Sequence, residues 1–157
     1  MSMYFYVILL ILLSKCSCQD VTSTENPVDL SMIETPAFLK VATDSQRREY
    51  IELEGNPNLT IEMKEKALKN WAQRCKEPVN NLYIMYISER QTLQSQEDAR
   101  MASIVAQLSP EAQEADRKVR AITTNYNQTK KTMDSSVSKL LDKLPKKVYY
   151  ELTFATQ

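Results

Sequence analysis

An all-α fold follows from three observations on this 157-residue chain. Apolar residues recur at spacings of three and four along most of its length, and strand-like alternation is not seen anywhere. A single glycine, Gly55, leaves proline to do the punctuating. The expected architecture is a compact bundle of about five or six helices.

The elements follow in order. Tyr4 to Leu13 is an apolar run of about ten residues followed by small and polar ones, the core of a secretory signal peptide. A helix needs roughly 20 apolar residues to cross a bilayer, and no second stretch approaches that length. Cleavage is expected after Cys18, which makes residues 1–18 the signal peptide. Residues 19–36 are polar with scattered apolar positions, and the flexible leader is taken to span 19–42. The helical domain then spans 43–154.

Thr43-Asp44-Ser45-Gln46 has capping-box form and starts a helix ended by Gly55 and Pro57. A second helix from about Thr60 to Cys75 places Met63, Ala67, Trp71 and Cys75 on one face, with Leu68 and Ala72 beside them. Pro78 opens a third, carrying Val79, Leu82, Tyr83, Tyr86 and Ile87. Ser88 to Arg100 has only Leu93 and Ala99 as apolar residues, so it is either a solvated helix or a break. Periodicity resumes at Met101, Ile104, Val105 and Leu108.

Ser109-Pro110-Glu111 supplies a cap, a first-turn proline and an acid at the positive end of the dipole. Ala112, Ala115, Val119, Ile122 and Tyr126 follow at helical spacing. From Thr129 another helix aligns Met133, Val137, Leu140, Leu141 and Leu144. Pro145 starts a short last one with Val148, Tyr149 and Leu152.

Composition excludes several functions. With no histidine, Ser-His-Asp and Cys-His catalysis and histidine-based zinc sites are out. With one glycine, a Gly-rich phosphate cradle is out. Loss of residues 1–18 removes Lys15 and leaves 19 basic against 20 acidic side chains, a net of −1 without a basic block. That gives no support for nucleic-acid binding. Cys75 then stands alone, without an intrachain disulfide partner; it could pair between chains, but its place on an apolar stripe favours a sheltered thiol.

One stretch carries chemistry. Glu54 to Glu65 puts oxygen-bearing side chains at its first, third, fifth, seventh, ninth and twelfth positions, the ligand spacing of an EF-hand calcium loop. Glu54, Asn56, Asn58, Glu62 and Glu65 could offer side-chain oxygens, and Thr60 its backbone carbonyl. Leu59, however, stands at the sixth position, where such loops turn sharply on glycine. A shift of 69 residues maps Asn56, Asn58, Thr60 and Glu65 onto Asn125, Asn127, Thr129 and Asp134, which suggests two EF-hand-like helix–loop–helix units. The second loop is poorer: Thr123 opens it, Lys131 sits at the ninth position and Asp134 is its sole acid.

Three readings of these loops stay open. They are a weak site for a hard divalent cation, Mg or Ca; helix starts in which Asn and Thr are caps; or glycan attachment points, since Asn58-Leu59-Thr60 and Asn127-Gln128-Thr129 are sequons.

Asn56 to Thr60 (N-x-N-L-T), the pair Trp71-Ala72, L-S-P-E-A at Leu108 to Ala112 and the closing L-P-x-x-V-x-x-E-L at Leu144 to Leu152 resemble, in that order, the nematode SXP/RAL family of small secreted proteins. The resemblance covers roughly residues 50–152. It implies a signal peptide, an all-helical domain with EF-hand-like topology, a domain described as cation-binding, and a parasite antigen without settled biochemical activity. Cation ligands carry over onto Asn56, Asn58, Thr60 and Glu65.

The function expected is that of a secreted, non-enzymatic helical protein with weak divalent-cation binding at the first loop. The alternatives are an effector that binds a host or parasite protein without metal, or an extracellular carrier of an apolar ligand. For the effector, the candidate surface is Ser88 to Arg100 or the tyrosines Tyr83 and Tyr86, whose spacing equally fits a core stripe.

Overall fold

The computed structural model describes residues 35–155; residues 1–18, read as the signal peptide, and 19–34 of the leader lie outside the described residues. Seven helices occupy the described chain: α1 (Ala37–Val41), α2 (Asp44–Gly55), α3 (Ile61–Cys75), α4 (Val79–Val105), α5 (Pro110–Thr123), α6 (Lys130–Leu141) and α7 (Lys146–Ala155). Among the described residues there is no strand, and Thr60 and Thr129 form an isolated antiparallel bridge.

The helix starts are where capping chemistry puts them. Thr43 accepts from Gln46 N–H while Gln46 Oε1 takes Thr43 N–H at 2.8 Å, a complete capping box. Thr60, Ser109 and Thr129 each cap α3, α5 and α6 through the side-chain oxygen. Each such cap contributes about 1 kcal/mol. With glycine absent from its C-terminus, α3 ends on Lys76 at φ 61, a backbone conformation that lysine rarely adopts.

Three differences from expectation have physical causes. Residues 37–42, read as the end of the leader, form α1 and its extended tail, and Phe38 is 0% exposed. The stretch Ala37 to Ala42 is mostly apolar, but a five-residue helix is too short to show a helical period, so pattern alone does not mark Phe38 as core. The buried face of α3 is Leu68, Trp71 and Ala72, while Met63 is 55% exposed. Tyr126 lies in the loop beyond α5 and is exposed, outside the apolar stripe assigned to it.

Helix α4 is unbroken through Ser88 to Arg100 and, at 27 residues, is about 40 Å long at 1.5 Å per residue. Its ends are buried, by Val79 and Tyr83 at one and by Met101 and Val105 at the other. The solvated middle is laced by pairs one turn apart: Gln94 to Asp98, and the Arg100 guanidinium forked onto Glu97. Such pairs add a few tenths of a kcal/mol each.

The core divides accordingly. At the N-terminal end, Phe38 sits within 5.1–5.9 Å of the ring centres of Tyr50, Trp71, Tyr83 and Tyr86. Leu68, Ala72 and Val79 complete that cluster. At the other end Met101, Val105, Val119, Met133, Val137 and Leu141 pack together, joined by Ile61 from the start of α3. A small third cluster holds Ala112, Ala115, Val148 and Leu152. Tyr83 is therefore a core residue, leaving the polar middle of α4 as the surface.

Candidate functional site

The two loops, 56–60 between α2 and α3 and 125–129 between α5 and α6, are built alike. In each, the first asparagine closes the turn: Asn58 N–H donates to Asn56 Oδ1 at 3.0 Å, and Asn127 N–H to Asn125 Oδ1 at 3.2 Å. In each, the threonine hydroxyl accepts the helix N–H three residues on, Met63 at 3.2 Å and Thr132 at 3.2 Å. The loops then join. Ile61 N–H donates to the Gln128 carbonyl at 3.0 Å and Glu62 N–H to that of Tyr126 at 3.1 Å. The bridge at their centre pairs Thr60 with Thr129, residues related by the 69-residue shift.

The acids placed in the first loop do not gather as a group, and several of its oxygens accept hydrogen bonds within the chain. The Thr60 carbonyl, expected as the seventh-position ligand, accepts Lys64 N–H at 2.9 Å as the first bond of α3. Asn56 Oδ1 is engaged by the turn and the Thr60 hydroxyl by the cap. Leu59 keeps a negative φ, so the glycine-dependent turn of a calcium loop is not made. The side chains of Glu54, Glu62 and Glu65 are exposed, and among the described residues no three acids, cysteines or histidines gather as a metal set.

A fixed cation already lies across this loop. Lys64 Nζ donates to the Glu54 carbonyl at 2.5 Å, at the negative end of the α2 dipole. Sequence reasoning passed over Lys64, although a lysine at the eleventh position of a twelve-residue loop was a visible signal.

In the second loop, Lys130 Nζ donates to Asp134 Oδ2 at 2.8 Å. The other oxygen, Asp134 Oδ1, is buried and has no hydrogen-bond partner. Gln128 turns back to cap α5, its Nε2 donating to the Ile122 carbonyl at 2.5 Å. Asn58 and Asn127 are exposed.

Elsewhere, reactive groups are muted. Burial pushes the Cys75 thiol up, with Glu49 adding to the effect, so the thiolate is disfavoured. No helix of the described residues is long and apolar enough to cross a membrane.

The family model for the SXP/RAL-2 family protein Ani s 5-like, metal-binding domain matches residues 2–157. The chain belongs to the SXP/RAL-2 family. No curated protein and no solved structure matches it. In this SXP/RAL-2 protein the domain named for metal binding thus carries loops whose turn and cap oxygens are engaged within the chain.

Proposed function

We propose that this SXP/RAL-2 protein is a secreted, non-enzymatic helical protein that acts through contact with a partner protein. Its paired loops serve as a clasp between the two ends of the bundle. The observation that carries this reading is the commitment of Asn56, Thr60, Asn125 and Thr129 to internal hydrogen bonds, with the Lys64 ammonium placed across the first loop. Secretion is supported by the apolar run Tyr4 to Leu13. The partner-facing surface is the outer side of α4, where Ile84 and Met85 are exposed beside the solvated stretch Ser88 to Arg100. The lack of any histidine supports a non-enzymatic role.

The test is backbone amide NMR of the unglycosylated mature domain during magnesium and calcium titration. The clasp reading expects no localised shifts over residues 54–65 or 125–134 at millimolar ion. Shifts centred on 54–65 that vanish in Glu65→Gln would establish the first loop as a cation site and overturn it.

One observation favours a second reading, a hard divalent cation held weakly at the second loop. A buried carboxylate oxygen without a partner, as in Asp134 Oδ1, is costly and is relieved by a cation. On that reading the localised shifts fall on 125–134 and disappear in Asp134→Asn.

A further inference from the structure

Each N-x-N-x-T segment assigns separate duties to its residues and leaves one residue without any. Asn56 and Asn125 close the turns, and Thr60 and Thr129 cap the following helices. Asn58 and Asn127 lie at equivalent points of the two turns, are exposed, and use only their backbone N–H in them. Neither turn geometry nor capping explains why asparagine stands at both places. Both are, however, the acceptor position of a sequon whose middle residue, Leu59 or Gln128, is not proline.

We infer that Asn58 and Asn127 both carry N-linked oligosaccharides, set as a pair on the two joined loops. This rests on the secretory reading, since the donor is a lipid-diphosphate-linked oligosaccharide of that pathway. In the transfer the carboxamide Nδ2 bonds to C1 of the first sugar. The bond from C1 to the diphosphate oxygen breaks, the lipid diphosphate leaves, and Nδ2 gives up one proton. Nothing is oxidised or reduced.

Transfer precedes folding, because the sequon threonine becomes a helix cap in the folded chain. The fold then has only to tolerate the product. It does so at both sites, since neither carboxamide is buried. A sugar on Asn58 Nδ2 also crowds Oδ1, the fifth-position oxygen of any cation set in that loop.

The test expresses the full chain in mammalian cells and treats the secreted protein with peptide N-glycosidase, reading mobility and peptide mass at both sequons. Two mobility steps are expected, one lost in Asn58→Gln, the other in Asn127→Gln, and both in the double variant. A secreted protein with one step or none overturns the proposal while leaving secretion standing.

If the chain is not secreted, the secretory reading fails. The same measurement on a chain with residues 1–18 exchanged for a proven secretory leader then decides the glycans alone, by the same two outcomes. Melting temperatures of bacterially made Asn58→Gln and Asn127→Gln should match the parent. This shows that a lost step reflects a lost acceptor rather than failed folding.

Discussion

The carboxylate of Glu151, on α7, closes the N-terminus of α5 by accepting both polar hydrogens of Ser109: N–H at 2.5 Å and the hydroxyl at 2.8 Å. The same serine oxygen accepts Ala112 N–H at 3.3 Å, so hydrogen bonds run from the helix backbone through Ser109 to Glu151. Around them Ala112, Ala115, Val148 and Leu152 pack as one cluster. The L-S-P-E-A start and the closing V-x-x-E-L are thus two halves of one joint.

Glu151→Gln is expected to lower the melting temperature, because one charge-assisted acceptor becomes a neutral amide. The effect depends on pH. The Ser109 backbone N–H, then its hydroxyl, hold the Glu151 carboxyl below its ordinary value of 4.5. A carboxylate with a depressed folded value stabilises fully above the unfolded value and loses that contribution as pH falls through the folded one. The gap between parent and variant should therefore be widest near neutrality and shrink below about pH 4.5 in thermal melts.

Phe38→Ala removes the ring surrounded by Tyr50, Trp71, Tyr83 and Tyr86. Denaturant unfolding should show a loss of about 3–5 kcal/mol, the range for emptying a buried phenylalanine site. A loss under about 1 kcal/mol, as for a surface residue, would show that α1 is not part of the core.

Thr60→Ala and Thr129→Ala should each cost about 1 kcal/mol as lost caps. Because the two residues pair in the bridge, the double variant should depart from additivity by roughly 0.5 kcal/mol or more, which a double-mutant cycle measures. Asn56→Ala should cost more than Asn58→Ala, since Asn56 supplies the oxygen that closes the turn.

A divalent cation should do little to the melt. Binding with a dissociation constant of about 1 mM would add roughly 1 kcal/mol at 5 mM ion. With the turn and cap oxygens of Asn56, Thr60, Asn125 and Thr129 engaged internally, 5 mM magnesium against excess chelator should leave the transition unmoved.

At high pH the aromatic cluster should set the limit. Burial, and next Glu54, push Tyr83 up to about 12, and the same two causes raise Tyr50 further. A raised folded value means the contribution is whole below the unfolded value of 10.0 and is lost as pH rises through the folded one. Stability should therefore fall from about pH 10 upward. Ultraviolet titration should show Tyr50 and Tyr83 ionising together with unfolding.

Much of the fold was legible because its helix starts are chemical: Thr43 with Gln46, Thr60, Ser109 before Pro110, and Thr129 all cap where their patterns indicate. One pair matched by the 69-residue shift, Thr60 and Thr129, meets in the bridge. Phe38 was not legible because its helix, Ala37–Val41, is only five residues long and too short to show a period. The unbroken course of α4 was left open because its middle is held by local polar pairs rather than an apolar stripe. At the loops, ligand spacing was legible but ligand orientation was not. One polar residue list serves a chelating loop and a capped turn equally, and the caps and turn bonds are details of orientation that the list does not carry.

A residue that pairs with its own repeat-mate across an antiparallel bridge is the signature of a two-fold axis. Two separate copies of one helix–loop–helix unit, docked at that threonine, would form a symmetric homodimer. Here both threonines lie in one chain, with α4 between their loops in sequence. Covalent linkage makes the pairing of the two loops intramolecular, and it leaves each loop free to differ from the other. Leu59 against Gln128, and Glu65 against Asp134, are positions matched by the 69-residue shift at which the two segments differ.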